Sequence, residues 1–103
     1  MREPVPEPAR TGVFATASPD GVAFDVRGKA KFSRSGRRAI GRGHSSLKIN
    51  LNGVTSASLV FASLQANRAG RWVRAVVPAT NSFTVYLNLP VLAATYIAWF
   101  VLN

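Results

Sequence analysis

The strongest constraint on how this chain can fold is a repeated period of two. In "SSLKINLN", residues 45–52, Leu47, Ile49 and Leu51 alternate with Lys48, Asn50 and Asn52. In "SFTVYLN", residues 82–88, Phe83, Val85 and Leu87 alternate with Thr84 and Tyr86. Successive side chains of a strand point to opposite faces, so this spacing predicts strands with one buried and one solvated face. Further short strands are expected at 37–40, 58–65, 71–77 (ending at Pro78) and 95–103, with Gly, Asn or Pro between them. No segment carries a convincing helical period, and 89–94 is where a single helical turn is expected. Strands at near-regular spacing predict an all-β fold, a small antiparallel β-sandwich.

Two of these strands are apolar on both faces. In the last, Ile97, Trp99 and Val101 point one way while Tyr96, Ala98, Phe100 and Leu102 point the other. In "SLVFASLQ", Val60, Ala62 and Leu64 oppose Leu59 and Phe61. A strand in a two-layer sandwich needs only one apolar face, so the second must meet something else. Another copy of the chain is the simplest partner, and a homotrimer is expected to bury Leu59, Phe61, Tyr96, Ala98, Phe100 and Leu102.

Toward the N-terminus the pattern changes. Pro4, Pro6 and Pro8 predict an extended, disordered tail over 1–10, because proline cannot donate ladder or helix hydrogen bonds. Residues 11–33 read as a short β-repeat segment: Gly12-Val13 recurs as Gly21-Val22 after the turn signal Ser18-Pro19-Asp20-Gly21. Val22, Phe24, Val26, Ala30 and Phe32 fall on even positions, which predicts a half-buried strand bent at Gly28. It puts Arg27, Lys29 and Lys31 on one solvent face. Residues 34–103 form the head module. Its opening stretch, "SRSGRRAIGRGHSS" (33–46), holds four arginines, three glycines and the only histidine. The glycines read as turn residues, and the stretch is expected to be a basic hairpin.

With 103 residues, the chain suffices for one compact domain. A hydrophobic content of 48% excludes wholesale disorder, and a charged fraction of only 17% agrees with a surface partly covered by a partner. The net charge of +9 fits nucleic acid, an anionic glycan, a membrane surface or an acidic protein, and selects none of them. The absence of cysteine excludes disulfides and thiolate metal sites. The start, MREPVPEPAR, lacks the apolar core of a signal peptide. The most apolar run, Val91–Leu102, has twelve residues, short of the ~20 needed to span a bilayer. No membrane insertion is expected; a cytoplasmic location or a place in a virion or surface assembly fits.

The residues also carry a resemblance. "SPDGVAFDVRGKAKFSRSG", "TSASLVFASLQANRAGRWVRAVVPATNSFTVYLN" and the terminal "AWFVLN" resemble the C-terminal module of repetitive actinobacterial and phage-associated surface proteins, over about residues 12–103. There the module follows tandem Gly-Val-Tyr-type repeats and ends the chain at a Trp-Phe-Val strand. More distantly, strand order and the Trp-containing last strand are similar to trimeric tail-fibre and H-type-lectin-like heads. The resemblance implies a small β-sandwich that trimerises at the distal end of a fibre or surface protein; a non-enzymatic head is expected, open to contact with a glycan or an anionic envelope. This chain departs from the pattern in keeping barely more than one repeat before the module, so no long shaft is expected.

Catalysis has little to work with. Of the four carboxylates, Glu3 and Glu7 lie in the tail and Asp20 in a turn, leaving Asp25 without the second carboxyl that paired acid–base work needs. His44 stands alone, so no metal or other cofactor is expected; three copies of His44 on a trimer axis would be the one route to a metal site. The glycines and cations of 33–46 lack the strand–GxxxxGK[ST]–helix setting of a phosphate loop. A nucleic-acid binder is the alternative, since Arg27, Lys29, Lys31, Arg34, Arg37, Arg38 and Arg42 fall within sixteen residues. Against it, Phe24, Phe32, Phe61, Phe83 and Trp99 read as inward, leaving Trp72, Tyr86 and Tyr96 to stack on bases. A glycan site would be built from Trp72, Arg71 and Arg74 with Tyr86 and Asn88 on the next strand, and Arg37, Arg38 and Arg42 complete the candidate ligand residues.

Overall fold

The computed structural model describes residues 12–103. The tail expected over 1–10 lies outside the described residues. The chain divides into two units, Met1–Lys31 and Phe32–Asn103.

In the first unit, residues 12–31 contain turns and bends but no strand. A β-turn closes where the sequence signals it, with the Gly21 amide donating to the Ser18 carbonyl at 2.8 Å. Arg27 pairs with Asp25 at 3.2 Å in the open, the one ion pair among the described residues. The expected β-repeat and the strand over 22–32 do not form. Alternation states which face a strand would bury; it does not supply the neighbour whose amides and carbonyls complete a ladder. Val22 and Phe24 are accordingly 75% and 72% exposed.

The second unit holds six strands: β1 (Ser35–Ile40), β2 (Ser46–Asn50), β3 (Leu59–Leu64), β4 (Val73–Ala79), β5 (Ser82–Leu87) and β6 (Thr95–Leu102). They form two antiparallel three-stranded sheets, β1-β6-β3 and β2-β5-β4, and no helix occurs among the described residues. The fold is all-β and sandwich-like. Both sheets feed one core, in which Phe83, Val85 and Leu87 of β5 join Ile49 of β2, Ile40 of β1, and Ile97 and Val101 of β6. The Phe83 ring meets the Trp99 ring edge-on at 5.2 Å, linking the layers. Each fully buried side chain of this kind stabilises the fold by roughly 1.5–3 kcal/mol.

Three expectations change. The stretch 33–46 is not a hairpin: β1 pairs with β6, β2 pairs with β5, and residues 41–45 cross between the sheets. Ile40 and Ile49 enter one core from opposite layers. The crossing is tied down by Gly43 donating to the Val91 carbonyl at 2.7 Å and Val91 donating to the His44 carbonyl at 3.0 Å. Gly43 sits at φ 83°, a conformation glycine adopts without strain. Residues 89–94 form bends in place of a helical turn, since the Val91 backbone is spent on this crossing and the Pro90, Ala93 and Ala94 carbonyls accept from Arg71, Thr95 and Arg68. Finally, β4 runs through Pro78 to Ala79. An edge strand tolerates proline because its missing amide would face away from the ladder.

Candidate functional site

The outer face of the β1-β6-β3 sheet is built by register. Leu59 lies opposite Leu102, Phe61 opposite Phe100 and Ser63 opposite Ala98, while Ala39 lies opposite Tyr96. Opposed side chains on one face stand close enough to pack, and the Phe61 and Phe100 rings stack with centroids 4.9 Å apart. Within the single chain this face stays open: Leu59 is 54% exposed, Phe61 50% and Leu102 44%. A shallow cavity of about 480 Å³ opens on it between Phe61, Phe100, Ala98, Phe32 and Ser35. The six residues expected at an interface (Leu59, Phe61, Tyr96, Ala98, Phe100 and Leu102) thus share one face of two adjacent strands. Phe61, also read as a core aromatic, points outward, and Phe24 and Phe32 are exposed as well. Only Phe83 and Trp99 of that set pack against the core.

Trp99 is held by a missing side chain. A Cβ on Gly36, its partner across the ladder, would lie 2.6 Å from the Trp99 ring.

The candidate ligand residues separate into two groups. Arg37 lies on the apolar face with its guanidinium 4.1 Å from the Tyr96 ring centroid. Arg38, the next residue, points to the other side and donates to the Lys48 carbonyl at 3.4 Å. Arg42 is exposed in the crossing. On the second sheet, Val73 and Val76 both pack against the core, and a bulge between Val73 and Ala75 puts Arg74 outside. Its guanidinium lies 5.5 Å from the Tyr86 ring centroid. Trp72, just before β4, is 59% exposed. Arg71 and Asn88 face inward to the backbone. Arg71 donates to the Pro90 carbonyl at 3.0 Å, and the Asn88 amide accepts from the Trp72 amide at 2.9 Å and donates to the Gly70 carbonyl at 2.8 Å. These two fix the start of β4 and leave Trp72 projecting.

Two contributors were missed by reading for motifs. Arg68 donates to the Thr95 hydroxyl at 2.9 Å and the Ala94 carbonyl at 3.1 Å, and Thr95, fully buried, donates onward to the Ala93 carbonyl at 2.9 Å. The other was legible by counting within the right boundaries. Residues 32–103 contain eight cations (Arg34, Arg37, Arg38, Arg42, Lys48, Arg68, Arg71 and Arg74) and no Asp or Glu at all. The +9 of the chain is concentrated in this unit.

Among the described residues, no helix is long and apolar enough to cross a membrane. Compared with known protein families, characterised proteins and solved structures, the chain matches none.

Proposed function

We propose that this protein is a non-enzymatic oligomerisation module, a homotrimeric head that caps a repetitive surface or phage-fibre-like protein. The observation that carries the reading is the open apolar face of β3 and β6, with Leu59, Phe61, Phe100 and Leu102 in mutual register. A strand with one solvated face alternates apolar with polar residues, and here both faces of two neighbouring strands are apolar. Closing that face against identical faces removes it from water and leaves the second sheet outward. The resemblance of "AWFVLN" and the stretches before it to terminal modules of repetitive proteins supports the same role.

The test is the light-scattering mass of the full chain after size exclusion, at low and high salt. The reading expects about three chains at both, because apolar burial is not screened by salt. Phe100→Asp is expected to give a monomer with unchanged far-UV circular dichroism, since the side chain points away from the core. A folded monomer in the wild type overturns the proposal.

A further inference from the structure

The second sheet carries a surface of different chemistry on its outer face. Ser46, Tyr86 and Ala75 lie in one cross-strand row, and Lys48, Thr84 and Val77 in the next. Trp72, paired with Asn88, precedes them. Outward positions along a strand recur about every 7 Å, so Trp72, Tyr86 with Arg74 over it, and Lys48 mark a strip along the sheet. Among the described residues, neither the Arg74 guanidinium nor the Lys48 ammonium makes a hydrogen bond, whereas Arg34, Arg38, Arg68 and Arg71 all donate to backbone carbonyls.

We propose that this strip, Trp72–Arg74–Tyr86–Lys48, binds a single-stranded polynucleotide. The argument is one of complementarity. Lys and Arg only donate, and the unit has no side-chain carboxylate to accept. A neutral sugar would engage the Ser46 and Thr84 hydroxyls of this face but would leave the charges of Arg74 and Lys48 unpaired. A ligand that offers anionic oxygens together with flat rings fits it well. The phosphates of a polynucleotide meet Lys48 and Arg74, which the Tyr86 ring beneath it holds in place, and a base stacks on the exposed Trp72. A duplex keeps its base faces stacked on one another, so the strip selects single strands. No acidic side chain in the unit offsets its eight positive side chains, so the field that brings the strand in is strongly positive. The site lies on the sheet that the oligomer reading leaves outward, and it stands without that reading.

The experiment is titration of the full chain with fluorescently labelled oligothymidylate, reading anisotropy and tryptophan quenching. Binding is expected to quench Trp72 fluorescence and to fall steeply between about 50 and 200 mM salt. Trp72→Ala is expected to remove the quenching and weaken binding at least about fivefold. Lys48→Ala with Arg74→Ala should weaken it further and flatten the salt dependence, while Arg37→Ala, on the other sheet, leaves affinity within about twofold. Circular dichroism and mass matching the wild type confirm that these exposed substitutions leave the fold and assembly in place. Equal losses from Arg37→Ala and from the Lys48/Arg74 pair would mean diffuse charge attraction and overturn the site. So would heparin, a sulfated glycan, binding with Trp72 quenching where oligothymidylate produces none.

Discussion

At the scale of single residues, Gly36 and Trp99 are one feature. The indole occupies the space a side chain at Gly36 would need, and the same ring closes the contact to Phe83 between the layers. Gly36→Val is expected to push Trp99 off its place and cost about 1–3 kcal/mol, read as a lower melting temperature with red-shifted tryptophan emission. Two arginines of similar chemistry are expected to differ sharply. Arg68→Ala removes the donor from the buried Thr95 hydroxyl and should cost about 1–3 kcal/mol in a denaturant titration. Arg74→Ala, exposed over Tyr86, should stay within about 0.5 kcal/mol of the parent apart from the lost ring contact.

At the scale of the element, β6 shows how one strand serves two purposes. Ile97 and Val101 enter the core, and Tyr96, Phe100 and Leu102 leave on the opposite side. Placing a charge on each side separates these roles. Ile97→Asp buries a carboxylate without a partner and should abolish the cooperative unfolding transition. Phe100→Asp should keep that transition and lose only mass. The β4–β5 connection is a second such case. Asn81 holds φ 59° in the two-residue turn and accepts from the Gly53 amide at 2.9 Å. Asn81→Ala loses both the tolerance for that conformation and the acceptor, and about 1–2 kcal/mol of stability in a thermal melt is expected to go with them.

At the scale of the whole molecule, charge sets the response to solution conditions. Acid unfolding works mainly through carboxylates that are paired in the native state and must take up protons. Residues 32–103 have no side-chain carboxylate, so no native carboxylate pairing within this unit is lost as pH falls. The melting temperature of this unit is therefore expected to change little from about pH 7 to about pH 4, where most domains of this size weaken. Added salt should raise it, because eight like charges repel and screening relieves them. A steep loss of stability on acidification would contradict this account.

Much of the architecture was written in the order of the residues. The alternation of Leu47, Ile49 and of Phe83, Val85, Leu87 is enough to give strand, face and core, because side-chain direction in a strand depends on position parity alone. The twin-faced character of β3 and β6 follows from the same rule, and so does the grouping of Phe61 with Phe100 on one side. Pairing does not, because a ladder partner is chosen by where distant strands meet. The alternating run from Val22 to Phe32 has the local pattern of a strand, and no neighbour completes it. The stretch from Ser33 to Ser46 has the turn residues of a hairpin, yet the shared core draws its two strands into different sheets. The roles of Arg71 and Asn88 were likewise decided by tertiary structure, since a polar side chain beside an exposed tryptophan reads as a ligand contact until the backbone groups it serves are in place. Sequence alone determined which faces are apolar and how much charge the unit carries; the tertiary structure decided which strands meet and which cations remain free, because both depend on contacts between residues far apart in the chain.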